Sequence, residues 1–420
     1  MVQLTDDCFR GDERLMPLDE ALALLADRII PVVDRESVAL AEAGGRVLAA
    51  DIVSALNVPP HDNSAVDGYA VRQFDLPADG NVDLEIVDRA AAGHPASKPV
   101  SAGQAVRIFT GAAMPEGGDS VFMQEDVEAS EDGTRVVVPA GLKAGANRRK
   151  AGEDICNGDT ILTKGRRLRP QDLGLAASIG TESVQVFRTL KAAIFSTGDE
   201  VREPGQPLAA GDIYDANRFV LRGLIEKLGV VVTDLGILPD DEATIRAALE
   251  KASHEHDVIL TSGGVSVGEE DHIKPAVEAL GSLHFWRLAV KPGRPVALGQ
   301  VGKVPFVGLP GNPAAAMVTF LRFARPMILQ LAGDADTTPL IVQVRAGFSH
   351  KKKIGRREWV RASIAANQQG LAEAQKFPRE GAGILSSISG SDGLVELPEE
   401  MTQLEPGDMV DFISFNEVGA

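Results

Sequence analysis

Residues 191–200 read KAAIFSTGDE, an apolar run that halts on Gly198-Asp-Glu. The same grammar recurs through residues 190–333. A helical pattern over 216–228 leads to a strand at 230–238, a second helix at 242–253 and a strand at 258–261. A glycine-rich loop, a short helix, strands near 285–290, 296–299 and 304–309, and a long helix from Pro313 complete the series. Strands that are apolar throughout and alternate with helices predict βαβ units around a mainly parallel sheet covered on both faces. Residues 189–333 are therefore expected to form a central three-layer α/β domain.

The pattern changes on either side. Upstream, short β-like runs at 83–87, 105–110, 120–124 and 135–139 alternate with Gly and Pro turns, which predicts a small β-rich domain over 58–146. It interrupts a discontinuous N-terminal α+β domain made of 1–57 and 147–188. Helices are expected there at 18–30 and 169–179, with a helical or mixed segment at 39–50. Downstream, β-like runs at 340–346, 359–364, 393–397 and 409–414 with no long helix predict a C-terminal β domain over 334–420.

Charge narrows the function classes. The 420 residues carry 42 Lys+Arg against 60 Asp+Glu, a net −18. Such a surface repels a phosphate backbone and an anionic bilayer, so neither nucleic acid nor membrane is an expected partner. Cys8 and Cys156 form no CxxC pair, which excludes a zinc knuckle and suits a reducing compartment. No apolar run reaches the roughly 18 residues of a membrane span. Asp6, Asp7, Asp12 and Glu13 are unlike a signal peptide. A cytoplasmic protein is expected.

Two loops stand at strand ends. The first, TSGGVSVGEED at 261–271, offers Ser262, Gly263, Gly264, Ser266 and Gly268. Its glycines let backbone N–H groups approach an anion and its serines add donors. The second, GLPGNP at 308–313, offers Pro310, Gly311 and Asn312, with Asn312 at an N-cap position and Pro313 suited to the first helical turn. Loops at the carboxyl ends of an open α/β sheet are where ligands collect. Neither is a Walker A or a GxGxxG sequence. The plainer alternative is that each is only a tight connection.

Carboxylates follow the same strands: Asp199 and Glu200, then Asp240 and Asp241, then Glu269, Glu270 and Asp271. Clustered beside an anion they call for a cation, and Mg²⁺ suits one or two carboxylates plus substrate oxygens. Glu200, Asp240, Asp241 and Asp271 are its candidate ligands. The competing explanation is helix capping, strongest for Asp240 and Asp241. Arg287, Lys291 and Arg294 form a local basic run in an acidic chain; pairing with acidic neighbours in a solvated turn is the alternative. Further upstream, Asp67-Gly68 allows a hairpin turn as readily as a site, and 148–150 allows a solvated charge run. Thr110 and Asp154 are equally open on chemistry alone.

Taken together, PPHDNSAVDGYAVR at 59–72, RIFTGA at 107–112, NRRKAGED at 147–154, FSTGDEV at 195–201, IYDANR at 213–218, TSGGVSVGEED at 261–271, LAVKPGRP at 288–295 and GLPGNP at 308–313 resemble the molybdopterin molybdenumtransferase family, MoeA and the gephyrin E domain, over nearly the whole chain. The resemblance implies a four-domain, L-shaped subunit with an elongated N-terminal domain, and a homodimer whose site is built across subunits. It implies that adenylylated molybdopterin and molybdate are the substrates, that AMP is released, that Mg²⁺ assists and that a molybdopterin adenylyltransferase is the substrate donor. By motif, Asp67, Thr110, Asp154, Glu200, Asp271, Lys291 and Arg294 fall on catalytic positions, and the two glycine loops fall on the pterin-phosphate site. Arg356, Arg357 and Ser386 are further candidates in the C-terminal domain. Arg287 and Arg294 stand where the family pattern has lysines, which keeps charge but changes the geometry offered to an oxyanion. Two rivals remain at this stage, a non-catalytic molybdopterin-binding scaffold and a molybdopterin adenylyltransferase.

Overall fold

The computed structural model describes residues 15–264 and 272–418. Its centre is a six-stranded sheet in the order Val231–Leu238, Lys191–Thr197, Val258–Ser262, Val304–Leu309, Pro295–Val301, Gly281–Arg287. The first four strands run parallel, Pro295–Val301 runs antiparallel to both of its neighbours, and Gly281–Arg287 therefore points the same way as the first four. The apolar runs are continuous because each face needs its own half of the residues. Ala192 and Ile194 enter the core beside helices Asn217–Lys227 and Pro313–Thr319, while Ala193 and Phe195 enter a second core beside Glu242–Glu255 and Ile273–Leu280. Truncating a fully buried ring such as Phe306 to Ala would cost about 3–5 kcal/mol.

The helix from Pro313 continues through a π turn at Phe320–Ala324 and on to Leu331. The helix runs 19 residues and holds an 18-residue stretch of mean hydropathy 1.2, so by composition it is long and apolar enough to cross a bilayer, contrary to the sequence expectation; 89% of that stretch is buried inside the protein.

Helix Leu18–Arg28 begins after Pro17 with Asp19 and Glu20 in its first turn and ends with Arg28, charges that suit the helix dipole. It buries Leu18, Ala21 and Leu25 in the core of the α/β unit, and Gln330 Nε2 donates to Ala26 O and Ile29 O. This helix therefore departs from the expected grouping of 1–57 with 147–188. Within the rest of that grouping Arg35–Ala39 pairs with Ser183–Phe187 and Ile52–Val53 with Thr160–Leu162, while Arg148–Arg149 pairs across its expected boundary with Asn63–Ser64 of the inserted segment. Between them, 39–50 is helical only over Leu40–Glu42. Gly45 at φ 75° turns the chain away, and Leu48 docks beside Val186.

The inserted segment folds as a second six-stranded sheet, ordered Ser120–Met123, Gly68–Val71, Gln104–Ile108, Asn81–Ala90, Arg135–Pro139, Glu128–Ala129. Its strands alternate: Tyr69 and Val71 face one core, Ala70 the other. Asp67-Gly68 is not a hairpin turn. Gly68 opens a central strand where a Cβ would lie 1.7 Å from Phe122 O, so the glycine permits close backbone approach. In the C-terminal segment, Arg357–Ala366 pairs with both Ala372–Lys376 and Gly393–Leu397, and the order through Val342–Ala346 and Met409–Ser414 closes a small barrel.

Candidate active site

The four parallel strands end in register. Ser196 lies opposite Ser262 and Ile237, and Ser262 opposite Leu309. Their loops therefore leave one edge of the sheet together. Gly263 and Gly264 have φ of 92° and 61°, a left-handed backbone that costs glycine little. A Cβ on Gly264 would also stand 2.5 Å from Ile273 Cδ1. The second loop lies against the first. A Cβ on Gly311 would come within 3.6 Å of Gly263 Cα. Asn217 Nδ2 donates to Ser262 Oγ (2.8 Å) and to Gly311 O (2.7 Å), Ser262 Oγ donates to Pro310 O (3.0 Å), and Gly263 N–H donates to Leu309 O (3.1 Å). The expected pair of loops is thus one stitched cradle. Asn312 occupies the N-cap position but makes no side-chain cap bond, and the Ala314 N–H donates to Ala382 O of the C-terminal domain (2.9 Å). Ser266, Gly268 and Asp271 lie outside the described residues.

The carboxylates divide. Glu200 is exposed at the edge, its Oε2 only 2.7 Å from where a Cβ on Gly198 would sit. Asp241 caps helix Glu242–Glu255. One of its oxygens accepts both Thr244 Oγ1 (2.7 Å) and Thr244 N–H (2.8 Å), bonds that hold its pKa below the ordinary value. The capping alternative therefore accounts for Asp241. Asp240 precedes it at the same strand end. Among the described residues no three His, Cys, Asp or Glu side chains converge to hold a metal ion.

The basic turn has left the α/β sheet. Val290–Lys291 pairs in parallel with the start of Arg357–Ala366, which carries Lys291 into the C-terminal domain. Lys291 Nζ donates to Glu358 Oε1 (2.6 Å), and His350 Nε2 lies 3.1 Å from the same oxygen. Lys376 Nζ stands 3.1 Å from His350 Nδ1. An ammonium can only donate there, so Nδ1 accepts and Nε2 carries the proton towards Glu358. Burial pushes the Glu358 pKa up, but His350 and Lys291 outweigh it and the net shift is downward. These groups, with Arg361 and Arg379, line a cleft of about 320 Å³. Gly293, at φ 92°, packs the turn on the helix after the second loop, since a Cβ there would lie 2.2 Å from Thr319 Oγ1. Arg294 is exposed beside it.

Of the other C-terminal candidates, Arg357 is committed elsewhere. It bonds Asp19 (2.9 and 2.7 Å) and Glu399 (3.2 Å), tying the first described helix to the barrel. Ser386 Oγ accepts from Arg379 Nη2 (3.3 Å), while the neighbouring Ser387 Oγ accepts from the buried Arg361 (3.0 Å). Arg356 borders a basic groove with Lys351, Lys353 and Lys291.

In the inserted domain, Asp67 and Thr110 meet. One Asp67 oxygen accepts the Thr110 N–H and Oγ1, both at 2.8 Å, and these bonds lower its pKa. Arg107 braces the turn. Its Nη1 donates to Gly68 O (3.0 Å), and its guanidinium lies 4.9 Å from the Tyr69 ring centre and 4.6 Å from that of Phe109. Asp154 is exposed, and its N–H donates to Val58 O (3.0 Å).

Three family models match in chain order: the MoeA N-terminal region (domain I and II) over residues 16–180, a probable molybdopterin binding domain over 193–330, and the MoeA C-terminal region (domain IV) over 343–415. A molybdopterin molybdenumtransferase of Haemophilus influenzae is 40% identical, with 96% of this chain and 100% of that protein covered. A protein of the same name from a Nostoc species is 36% identical over 89% of this chain and 87% of its own. The crystal structure of a molybdopterin biosynthesis MoeA protein from Pyrococcus horikoshii superposes with a TM-score of 0.81 at 33% identity, covering 96% of this chain and 100% of that one. The chain belongs to the MoeA family.

Within this MoeA chain the sequence under-read three groups. Asn217, which stitches the two loops, sits inside IYDANR but looked like an ordinary helix start. Glu358 fixes Lys291 from 67 residues away and His350 braces Glu358, and nothing near 291 signals them. Arg218, 5% exposed, anchors the excursion after Glu200 through Asp215, Asp234 and Glu203. Burial alone would lower its pKa, yet these carboxylates raise it overall.

Proposed function

We propose that this protein is a molybdopterin molybdenumtransferase that takes molybdenum from molybdate into adenylylated molybdopterin and releases AMP. The observation that carries the reading is the double glycine loop at the carboxyl edge, stitched by Asn217 and Ser262. Its bare backbone suits the phosphate end of the pterin, and the exposed Glu200 stands at the same edge. Lys291 and Arg294 supply positive charge for molybdate and for charge that develops during transfer. Glu358 holds the Lys291 ammonium in place while leaving its side chain 49% exposed.

One edge carboxylate, Glu200, fits a magnesium ion coordinated mainly by substrate oxygens and water, which when bound would polarise the phosphoanhydride. Asp241 is spent on its cap and is not part of that set. The reading places Asp67, Thr110 and Asp154 on the facing subunit of a homodimer, with the cytoplasm as the compartment and a molybdopterin adenylyltransferase as donor.

The deciding experiment is AMP release from adenylylated molybdopterin by the purified protein with Mg²⁺, with and without molybdate. Molybdate-dependent release is expected. Tight substrate binding without release would favour a scaffold, and ATP consumption an adenylyltransferase. The cross-subunit site is tested by mixing Asp67→Asn and Glu200→Ala chains. Heterodimers regain one intact site and recover activity, whereas a site within one chain stays inactive on mixing.

A further inference from the structure

We propose that a cleft on the opposite side of the molecule from the glycine loops is a second anion site, built for a phosphate group. Helix Asn217–Lys227 runs from the carboxyl edge back to the start of strand Val231–Leu238, so Lys227 stands at the amino edge of the sheet. There a cleft of about 680 Å³ opens between residues 163–169, 227–228, 325–336 and 416–418. The N-terminal, α/β and C-terminal parts of the chain all contribute to its walls.

Six cations line it: Lys164, Arg166, Arg167, Arg169, Lys227 and Arg325. The carboxylates on its walls are Asp334, Asp336 and Glu417. Arg167 pairs with Asp334 (2.9 Å), and Arg166 and Arg169 share Asp172 behind the wall (2.8 and 3.1 Å). Among the described residues Lys164, Lys227 and Arg325 have no ion-pair partner. In a chain of net −18 this is a local surplus of positive charge.

Arg325 is the centre of the argument because it is 8% exposed. A buried guanidinium is costly unless it is paired and its donors are satisfied. Among the described residues its guanidinium makes one hydrogen bond, from Nη1 to Thr337 O (3.1 Å), and its Nε is buried with no partner. Arg166 Nε on the same cleft is also buried without a partner. Asp334, Asp336 and Glu417 influence Arg325 only at longer range, and burial still pushes its pKa down. A phosphate oxygen in the cleft would give Arg325 the partner the fold withholds, with Lys227 and Lys164 as point charges at the rim. The space exceeds what a bare ion needs, so a phosphomonoester fits the same chemistry. Because the walls come from three units, occupancy would hold them together.

The test uses the full chain at constant ionic strength in phosphate-free buffer, titrated with inorganic phosphate and separately with AMP. Thermal midpoint and titration calorimetry are read together. A saturable rise of the midpoint is expected for the wild type, and the apparent affinity should fall at least tenfold in Lys227→Glu, a surface change at a helix end. AMP release from the adenylylated pterin should be the same in that variant, which separates this cleft from the carboxyl edge. Arg325→Met, if folded by circular dichroism, should lose the effect entirely; if it is unfolded, Lys227→Glu decides. Because AMP is also the product at the carboxyl edge, only the part of each response that Lys227→Glu removes is assigned to the cleft: loss of the phosphate response alone identifies the free ion, and loss of the AMP response alone a nucleotide. An equal response in wild type and Lys227→Glu, or none with either probe, overturns the proposal.

Discussion

Asp67 and Asp241 are held in the same way and mean different things. Each gives one carboxylate oxygen to the N–H and the hydroxyl of a single threonine, at 2.8 and 2.8 Å in one case and 2.8 and 2.7 Å in the other. Each has its pKa lowered by those two bonds. Asp241 reaches three residues along the chain to Thr244, and its bonds satisfy donors that any helix start leaves open. Asp67 reaches 43 residues to Thr110, across strands Gly68–Val71 and Gln104–Ile108. No local rule demands that contact. A clamp that sheet pairing must build brings together two residues from separate motifs, and it points to a site. The same clamp made within one turn is explained by the helix.

Substitutions at these positions and their neighbours break or sharpen this contrast. The largest effect is expected from Glu200→Ala, the edge carboxylate that serves no described cap: AMP release should drop below detection with circular dichroism unchanged, and wild-type turnover would remove Glu200 from the site. Next is Asp67→Asn, which keeps the shape and removes the charge. Turnover should fall about a hundredfold through misplaced geometry, while Asp241→Asn, measured in parallel, stays near wild type; equal losses would erase the distinction.

Glu358→Gln should follow. Weakening charged hydrogen bonds to Lys291 and His350 is expected to cost about 1.5–3 kcal/mol in urea unfolding, less whatever solvent screens at the half-exposed lysine. The KM for molybdate should also rise. An unchanged KM would leave Glu358 a purely structural anchor.

The smallest effect belongs to Asp241→Ala, a lost cap that should lower the thermal midpoint by about 2–4 °C and leave AMP release intact. The two aspartates should also behave alike towards acid. Both folded pKa values lie below the ordinary 3.8, so each contributes stability that is complete above that value and is lost as pH falls through the lowered pKa. Carboxyl NMR titration should show Thr110→Val moving the Asp67 pKa up and leaving Asp241 alone. Thr244→Val should do the reverse.

Much of the fold was legible because its signals are local. The run at 191–197 had to be a strand buried on both faces, and the strand–helix alternation after it left few topologies other than a parallel sheet. The glycines at 263 and 264 announced a backbone that side chains disfavour, and the strand bounds at Gly393–Leu397 and Met409–Ser414 followed from their apolar runs. The same local logic misled at 39–50, where apolar spacing suggested a helix but Gly45 and the docking of Leu48 formed a turn and a bridge instead.

By itself, then, the sequence determined which apolar runs form buried strands, where the backbone must bend, and which polar groups stand at strand ends, because those depend on neighbours a few positions away. Only the tertiary structure decided partnership. It put Asp67 on Thr110, Lys291 on Glu358 and Asn217 across both loops, and it left the buried Arg325 Nε without a hydrogen-bond partner among the described residues. These outcomes turn on strand pairing between segments tens of residues apart, whose free energy is shared over whole sheets and is written in no single motif.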